Sequence, residues 1–173
     1  MKIGFTGTMS VGKTTLVNAL KTLPEFSEYT FRTERSKYLR DMGIPLNTDS
    51  TIKGQMIFLA ERASELIQPR VITDRTVIDV MAFANLAESI PYYIGNQFEV
   101  LASNLIKDYD YIFYISPEGV PLEDNGVRTT DAEYRTRIDK EIQRILKERV
   151  PNYIPLSGTT EERIQKIKEA LSF

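Results

Sequence analysis

Strand-like and helix-like stretches alternate along all 173 residues, which predicts an α/β protein: a three-layer α/β/α sandwich on a five-stranded parallel sheet. Two observations carry that prediction. Tyr111-Ile112-Phe113-Tyr114-Ile115 is apolar without alternation, the pattern of a strand covered on both faces. Gly7-Thr8-Met9-Ser10-Val11-Gly12-Lys13-Thr14-Thr15 is a glycine turn set between a short strand and a helix, as βα units require.

The elements follow in order. Residues 2–6 form the first strand, and the helix after the glycine turn ends before Pro24. Residues 29–33 form the second strand, followed by a short helix that Met42-Gly43-Ile44-Pro45 stops after Asp41. Asp49 or Ser50 caps the next helix, with Ile52, Met56, Leu59, Ala63 and Leu66 as its apolar stripe. Val71-Ile72-Thr73 is the third strand, and Val77, Val80, Met81 and Ala84 pattern the helix after it. A second helical stretch runs over residues 93–107, with Leu101, Leu105 and Ile106 inward. The fourth strand, 111–115, leads into a loop at 117–130 rich in Pro, Gly and acid. Thr130-Asp131-Ala132-Glu133 has the form of a capping box for a helix marked by Ile138, Ile142, Ile145 and Leu146. Residues 153–156 are the last strand, and Thr159 or Thr160 opens a final helix with Ile164, Ile167 and Leu171 inward. The whole chain, 1–173, reads as one domain with a short lid at about 117–137.

The glycine turn fits G-x-x-x-x-G-K-[ST], the P-loop that wraps nucleotide phosphates. Gly7 and Gly12 let the backbone turn sharply and bring amides, including those near Ser10 and Val11, against phosphate oxygens. The new helix points its positive end at the same anion. Lys13 reaches the β- and γ-phosphates, the Thr14 hydroxyl ligates Mg²⁺, and Thr15 adds an α-phosphate contact. ATP and Mg²⁺ are therefore the expected cofactors.

Composition narrows what is done with that nucleotide. There is no Cys and no His, so thiolate chemistry, Cys-based zinc sites and histidine bases are excluded; a general base has to be a carboxylate. The net charge of −2 disfavours a protein that lives on nucleic acid, although the basic stretch 32–40 keeps that partner in play. No apolar run has membrane-spanning length and the start does not read as a signal peptide, so a cytoplasmic enzyme is expected, without a membrane partner and with a homodimer compatible.

Ligands of parallel sheets bind beyond the carboxyl ends of the strands, which selects the site residues. Asp74 follows the third strand and is placed to hold Mg²⁺ opposite Thr14; Arg75 beside it would face an acceptor oxygen. Glu34 follows the second strand and is either the base that takes the acceptor proton or a helix-start acid; Arg35 is next to it. Asp110 precedes the fourth strand and is rejected as a site acid. Arg128, near the end of the lid, is placed to close over the moving phosphate. Arg135 and Arg137 follow, and two residues apart on a helix only one of them reaches the site. Gln55 and Arg62 share a helix face and suit base reading, against the alternative of an amphipathic helix with its polar residues outside. Tyr92 is a stacking candidate, Ser157-Gly158 would let an adenine lie on the backbone, and Arg163 would flank it.

With these residues placed, the chain resembles the small P-loop kinases of nucleosides and nucleotides. The phosphate loop, the Thr33-Glu34-Arg35 acid site, the Gln55/Arg62 helix and the Asp74-Arg75 pair resemble deoxynucleoside and thymidylate kinases. Gly126-Val127-Arg128, with arginines on the helix after it, resembles the ribosylnicotinamide kinase domain and its AAA-labelled relatives. The resemblance implies the P-loop NTPase sandwich with strand order 2-3-1-4-5. It also implies transfer of the γ-phosphate of Mg-ATP to a small nucleoside or nucleoside monophosphate. The chain departs from the thymidylate kinase Arg-Glu-Pro, because Glu34 is followed by Arg35. It also departs from the deoxynucleoside kinase Glu-Arg-Ser, with Asp74-Arg75-Thr76. The rival functions are a kinase acting on DNA or RNA and a P-loop ATPase without an acceptor. A GTPase is discounted, because neither an N/T-K-x-D nor a D-x-x-G motif occurs.

Overall fold

A computed structural model describes residues 1–33, 36–120 and 132–173. Its sheet is built from β1 (Lys2–Thr6), β2 (Thr30–Arg32), β3 (Val71–Thr73), β4 (Tyr111–Ile115) and β5 (Ile154–Leu156). The order is β2-β3-β1-β4-β5 and every pairing is parallel, so the expected architecture and strand order are both present.

Period-two alternation divides the core into two layers. Ile3 and Phe5 of β1, with Phe113 and Ile115 of β4, meet Leu16, Val17 and Leu20 of α1 (Lys13–Leu20) and Ile167 and Leu171 of α7 (Thr160–Leu171). On the opposite face, Ile112 and Tyr114 of β4 meet α4 (Val77–Asn85) and α6 (Ala132–Arg149) through Ile78, Met81, Ile138 and Ile142. The remaining helices are α2 (Ser36–Asp41), α3 (Ile52–Glu65) and α5 (Tyr92–Ser103), the last two packed against α4. Covering both faces is what makes the unbroken apolar run of β4 workable in water.

Three local expectations are corrected. The cap of α3 is Thr51, whose hydroxyl accepts from the Gly54 amide; Asp49 instead closes a 3-10 turn and Ser50 is buried. The inward stripe of α3 is Gln55, Leu59, Arg62 and Leu66, which leaves Met56 57% exposed. On α5 the inward side is taken by Phe98, Glu99 and Ala102, which turns Leu101 out to 61% exposure. The cause is the same in both helices: a polar side chain with partners inside competes for a face that apolar periodicity alone assigns to Met or Leu.

Candidate functional site

The phosphate loop leaves the carboxyl end of β1 and is pinned on both sides of the sheet. Met9 belongs to the α4–α6 core, and Val11 to the α1–α7 core. Between them Ser10 takes φ 56, a left-handed backbone that non-glycine residues adopt uncommonly. Gly7 is required by space: a Cβ there would stand 2.6 Å from the Ile115 carbonyl oxygen. Gly12 is required by conformation, with φ 85 at the N-cap of α1. No side chain caps α1, so its first amides remain for an anion.

The loop's carbonyls from Gly7 to Val11 accept from cationic side chains. Lys13 Nζ donates to Gly7 O at 2.6 Å and to Thr8 O at 2.7 Å. Arg135, from the first turns of α6, donates through Nε to Met9 O at 3.1 Å and through Nη2 to Ser10 O at 3.3 Å. Arg163, from the first turns of α7, donates to Val11 O at 2.9 Å. Arg135 also reaches Val120 O at 2.8 Å, and its own carbonyl accepts from Thr8 Oγ1 at 3.0 Å. Arg137 is exposed, so only one of the two neighbouring arginines meets the loop.

Beside the loop, Thr14 Oγ1 donates to Asp74 Oδ2 at 2.5 Å. Asp74 is buried at the exit of β3, its amide held by Arg32 O of β2 at 2.9 Å. Hydroxyl and carboxylate together are the hard oxygen donors that suit Mg²⁺, a cation that keeps several waters and takes phosphate oxygens. Arg75 lies over the Phe83 ring at 5.3 Å, with its Nη1 3.8 Å from Asp79, and its carbonyl accepts from Arg62. Arg62 is itself buried and paired with Glu65 at 2.8 Å.

Asp79 went unnoticed in the sequence. It accepts from the Thr76 amide at 2.8 Å, closing a capping box, and from the Gly7 amide at 3.4 Å, which ties α4 to the phosphate loop. The signal was Thr76-x-x-Asp79 at a helix start, a spacing with a known meaning. Asp139 was missed too. One helical turn after Arg135, it accepts from Tyr114 Oη at 2.8 Å and from Gln143 at 2.7 Å. Burial pushes its carboxyl above the usual range, opposed by those hydrogen bonds and by the charges of Arg135 and Lys13.

The other candidates are spread over several elements. Ser157 and Gly158 are exposed at the turn into α7, where Thr159 and Glu162 close a capping box. Thr15 is exposed on α1; Gln55 is buried on α3; Tyr92 is 83% exposed on α5, with no contact to the loop among the described residues. Glu34, Arg35 and Arg128 lie outside the described residues, as does most of the lid; residues 132–137 are the opening turns of α6. At the exit of β2 a cavity of about 260 Å³ is lined by Phe31, Arg32, Thr33, Glu61, Ser64 and Glu65. Among the described residues no helix is long and apolar enough to cross a membrane.

No curated protein matches the sequence. Among solved structures, a deoxyadenosine kinase from M. mycoides, with dCMP and dCDP bound, superposes with TM-score 0.69 at 18% identity, covering 99% of this chain and 98% of that one. NadR in complex with NR superposes with TM-score 0.78 at 21% identity, covering 99% of this chain but 51% of NadR, so the chain spans about half of that protein. Thymidylate kinase from Candida albicans gives TM-score 0.65 at 15% identity over 98% and 91% of the two chains. At these identities the likeness is one of fold: the chain has the sandwich of small P-loop nucleoside and nucleotide kinases. A family model described as AAA domain matches residues 2–163, and the chain belongs to that family.

Proposed function

We propose that this protein is an Mg-ATP-dependent phosphotransferase of the cytoplasm whose acceptor is a nucleoside or a nucleoside monophosphate. The observation that carries the reading is the pair Thr14–Asp74 at 2.5 Å beside the Lys13 loop. It sets a hydroxyl, a carboxylate and an ammonium around the place where a γ-phosphate would sit. Thr14 and Asp74 would hold the cation, whose chemistry is to draw charge from the phosphate oxygens.

The acceptor's nucleophile, a nucleoside hydroxyl or a monophosphate oxygen, attacks the γ-phosphorus, the bond to the bridging oxygen of the β-phosphate breaks, and ADP leaves. Where the nucleophile is a hydroxyl, its proton passes to the Glu34 carboxylate, the base available in a chain without histidine. Lys13 and the lid arginine Arg128 neutralise the moving group, with Arg135 at the loop's edge. Arg75, held by Asp79 and Phe83, is aimed at the acceptor. Gln55, Arg62 and Arg35 shape the acceptor side, and Tyr92 is its outermost stacking candidate. Ser157 and Gly158 take the adenine.

The test is a panel of nucleosides, monophosphates and short oligonucleotides with labelled ATP and product identification. ADP release should depend on one nucleoside or monophosphate and yield its phosphorylated form. Equal ATP cleavage with water as the sole recipient would sink the proposal, and transfer confined to oligonucleotides would replace it with the polynucleotide reading. Glu34→Gln should slow turnover while leaving acceptor binding intact.

A further inference from the structure

Five consecutive loop carbonyls, from Gly7 to Val11, accept from cationic side chains, and they do so from three different elements. A peptide unit whose carbonyl is held on one side turns its amide to the other. Fixing successive carbonyls outward therefore fixes the following amides inward, where a polyphosphate needs donors. Lys13 does part of this from within the motif. The arginines do it from outside, Arg135 from the start of α6 and Arg163 from the start of α7.

From these contacts we infer that Arg163 is a positioning residue for the phosphate loop, acting through Val11 rather than on the adenine. This rests on the loop being the nucleotide site. Three features support it. The Arg163 Nη1 is 2.9 Å from Val11 O, and a Cβ placed on Gly12 would stand 3.3 Å from the same nitrogen, so the guanidinium lies directly behind the turn into α1. The side chain is 7% exposed, and its Nε is buried with no acceptor among the described residues. An apolar side chain would fill that space without the cost of burying a guanidinium, so packing does not explain an arginine here. Finally, Arg163 follows the Thr159–Glu162 capping box that opens α7, which fixes the first turn of the helix that carries it.

The consequence is specific. Removing Arg163 should weaken every ligand that binds through its phosphates, whatever its base. The full-length chain and its Arg163→Met and Arg163→Lys variants are titrated by calorimetry with Mg-ATP, Mg-GTP and inorganic triphosphate, and their melting is measured alongside. Arg163→Met is expected to bind ATP and inorganic triphosphate about ten-fold more weakly, by a similar factor for both. Arg163→Lys, which keeps one donor, should recover part of the loss. Loss of ATP binding with inorganic triphosphate unchanged would show an adenine contact and overturn the inference. So would a lowered melting temperature with affinities unchanged well below it, the signature of packing alone. A wild-type chain that binds no triphosphate at all would bring down the nucleotide-site reading, and the positioning role with it; a wild-type chain that binds, beside an equal Arg163→Met, would remove the positioning role alone.

Discussion

The amino-terminal end of α6 sends Arg135 to the carbonyls of Met9 and Ser10, while its carboxyl end sends Arg144 and Arg149 to the buried carboxylate of Glu99 on α5. At the second end charges of both signs are gathered: Arg144 also meets Glu141 and Glu148, and Asn85 of α4 donates to Glu99 and Glu141. At the first end the guanidinium donates to neutral carbonyls. The difference separates a brace from a candidate binding site. Arg144 and Arg149 are satisfied by acids, so that end holds three helices together and has little attraction left for an anion. Arg135 keeps its charge beside an open set of amides, where a polyphosphate would complete it.

Lys13→Ala is the largest expected break on the loop side. Turnover should fall about a thousand-fold, while melting stays near wild type because Lys13 contacts the loop it serves. An active Lys13→Ala protein would contradict the phosphate-loop chemistry outright.

Glu99→Gln tests the brace. It removes the charge that Arg144 and Arg149, both about a third exposed, share and should cost about 1–2 kcal/mol of stability, with triphosphate affinity unchanged in the folded protein. Its pH behaviour has a definite sign. Burial raises the Glu99 carboxyl, but the hydrogen bonds from Asn85, Arg149 and Arg144 outweigh it and hold the group below its ordinary value of 4.5. That stabilisation is present above the ordinary value and is lost as pH falls through the lowered one. Acid unfolding of wild type should therefore carry a component that Glu99→Gln lacks, and identical acid profiles would dissolve the brace.

Arg135→Met sharpens the contrast within one helix. A ten-fold loss of triphosphate affinity, roughly what one charged hydrogen bond is worth, with little change in melting, is the reverse of the Glu99→Gln pattern. Variants that behave alike would show that the two ends of α6 are one unit.

The smallest effect is expected at Asp139, between the two ends. Its carboxyl is raised by burial, so its ionised form is disfavoured by folding. The penalty is absent below the ordinary carboxylate value of 3.8 and grows as pH rises toward the raised one. Asp139→Asn should thus gain on wild type as pH climbs through that window. The measurement is chemical unfolding at several pH values, and a gain at low pH only would reverse the assignment.

The alternation of strands and helices, the double-sided burial of β4 and the loop from Gly7 to Thr15 were legible in the sequence, because each depends on near neighbours in the chain. Period, glycine spacing and helix starts are local physics. Asp74 was legible too, since the carboxyl end of a strand is a position that a linear reading can count. The facing of α3 and α5 was not. Apolar periodicity assigned Met56 and Leu101 inward, and Arg62 and Glu99 took those sides because their partners, Glu65 and the carbonyl of Arg75 for one, Arg144 and Arg149 for the other, stand on the inner side.

The sequence by itself thus determined the class of fold, the phosphate loop and the rim on which the site is built. Only the tertiary structure decided which arginines serve that loop. Arg135 and Arg163 lie more than a hundred residues beyond Met9, Ser10 and Val11. Strand order and helix packing bring their side chains onto those carbonyls, and no local pattern encodes a meeting between segments so far apart.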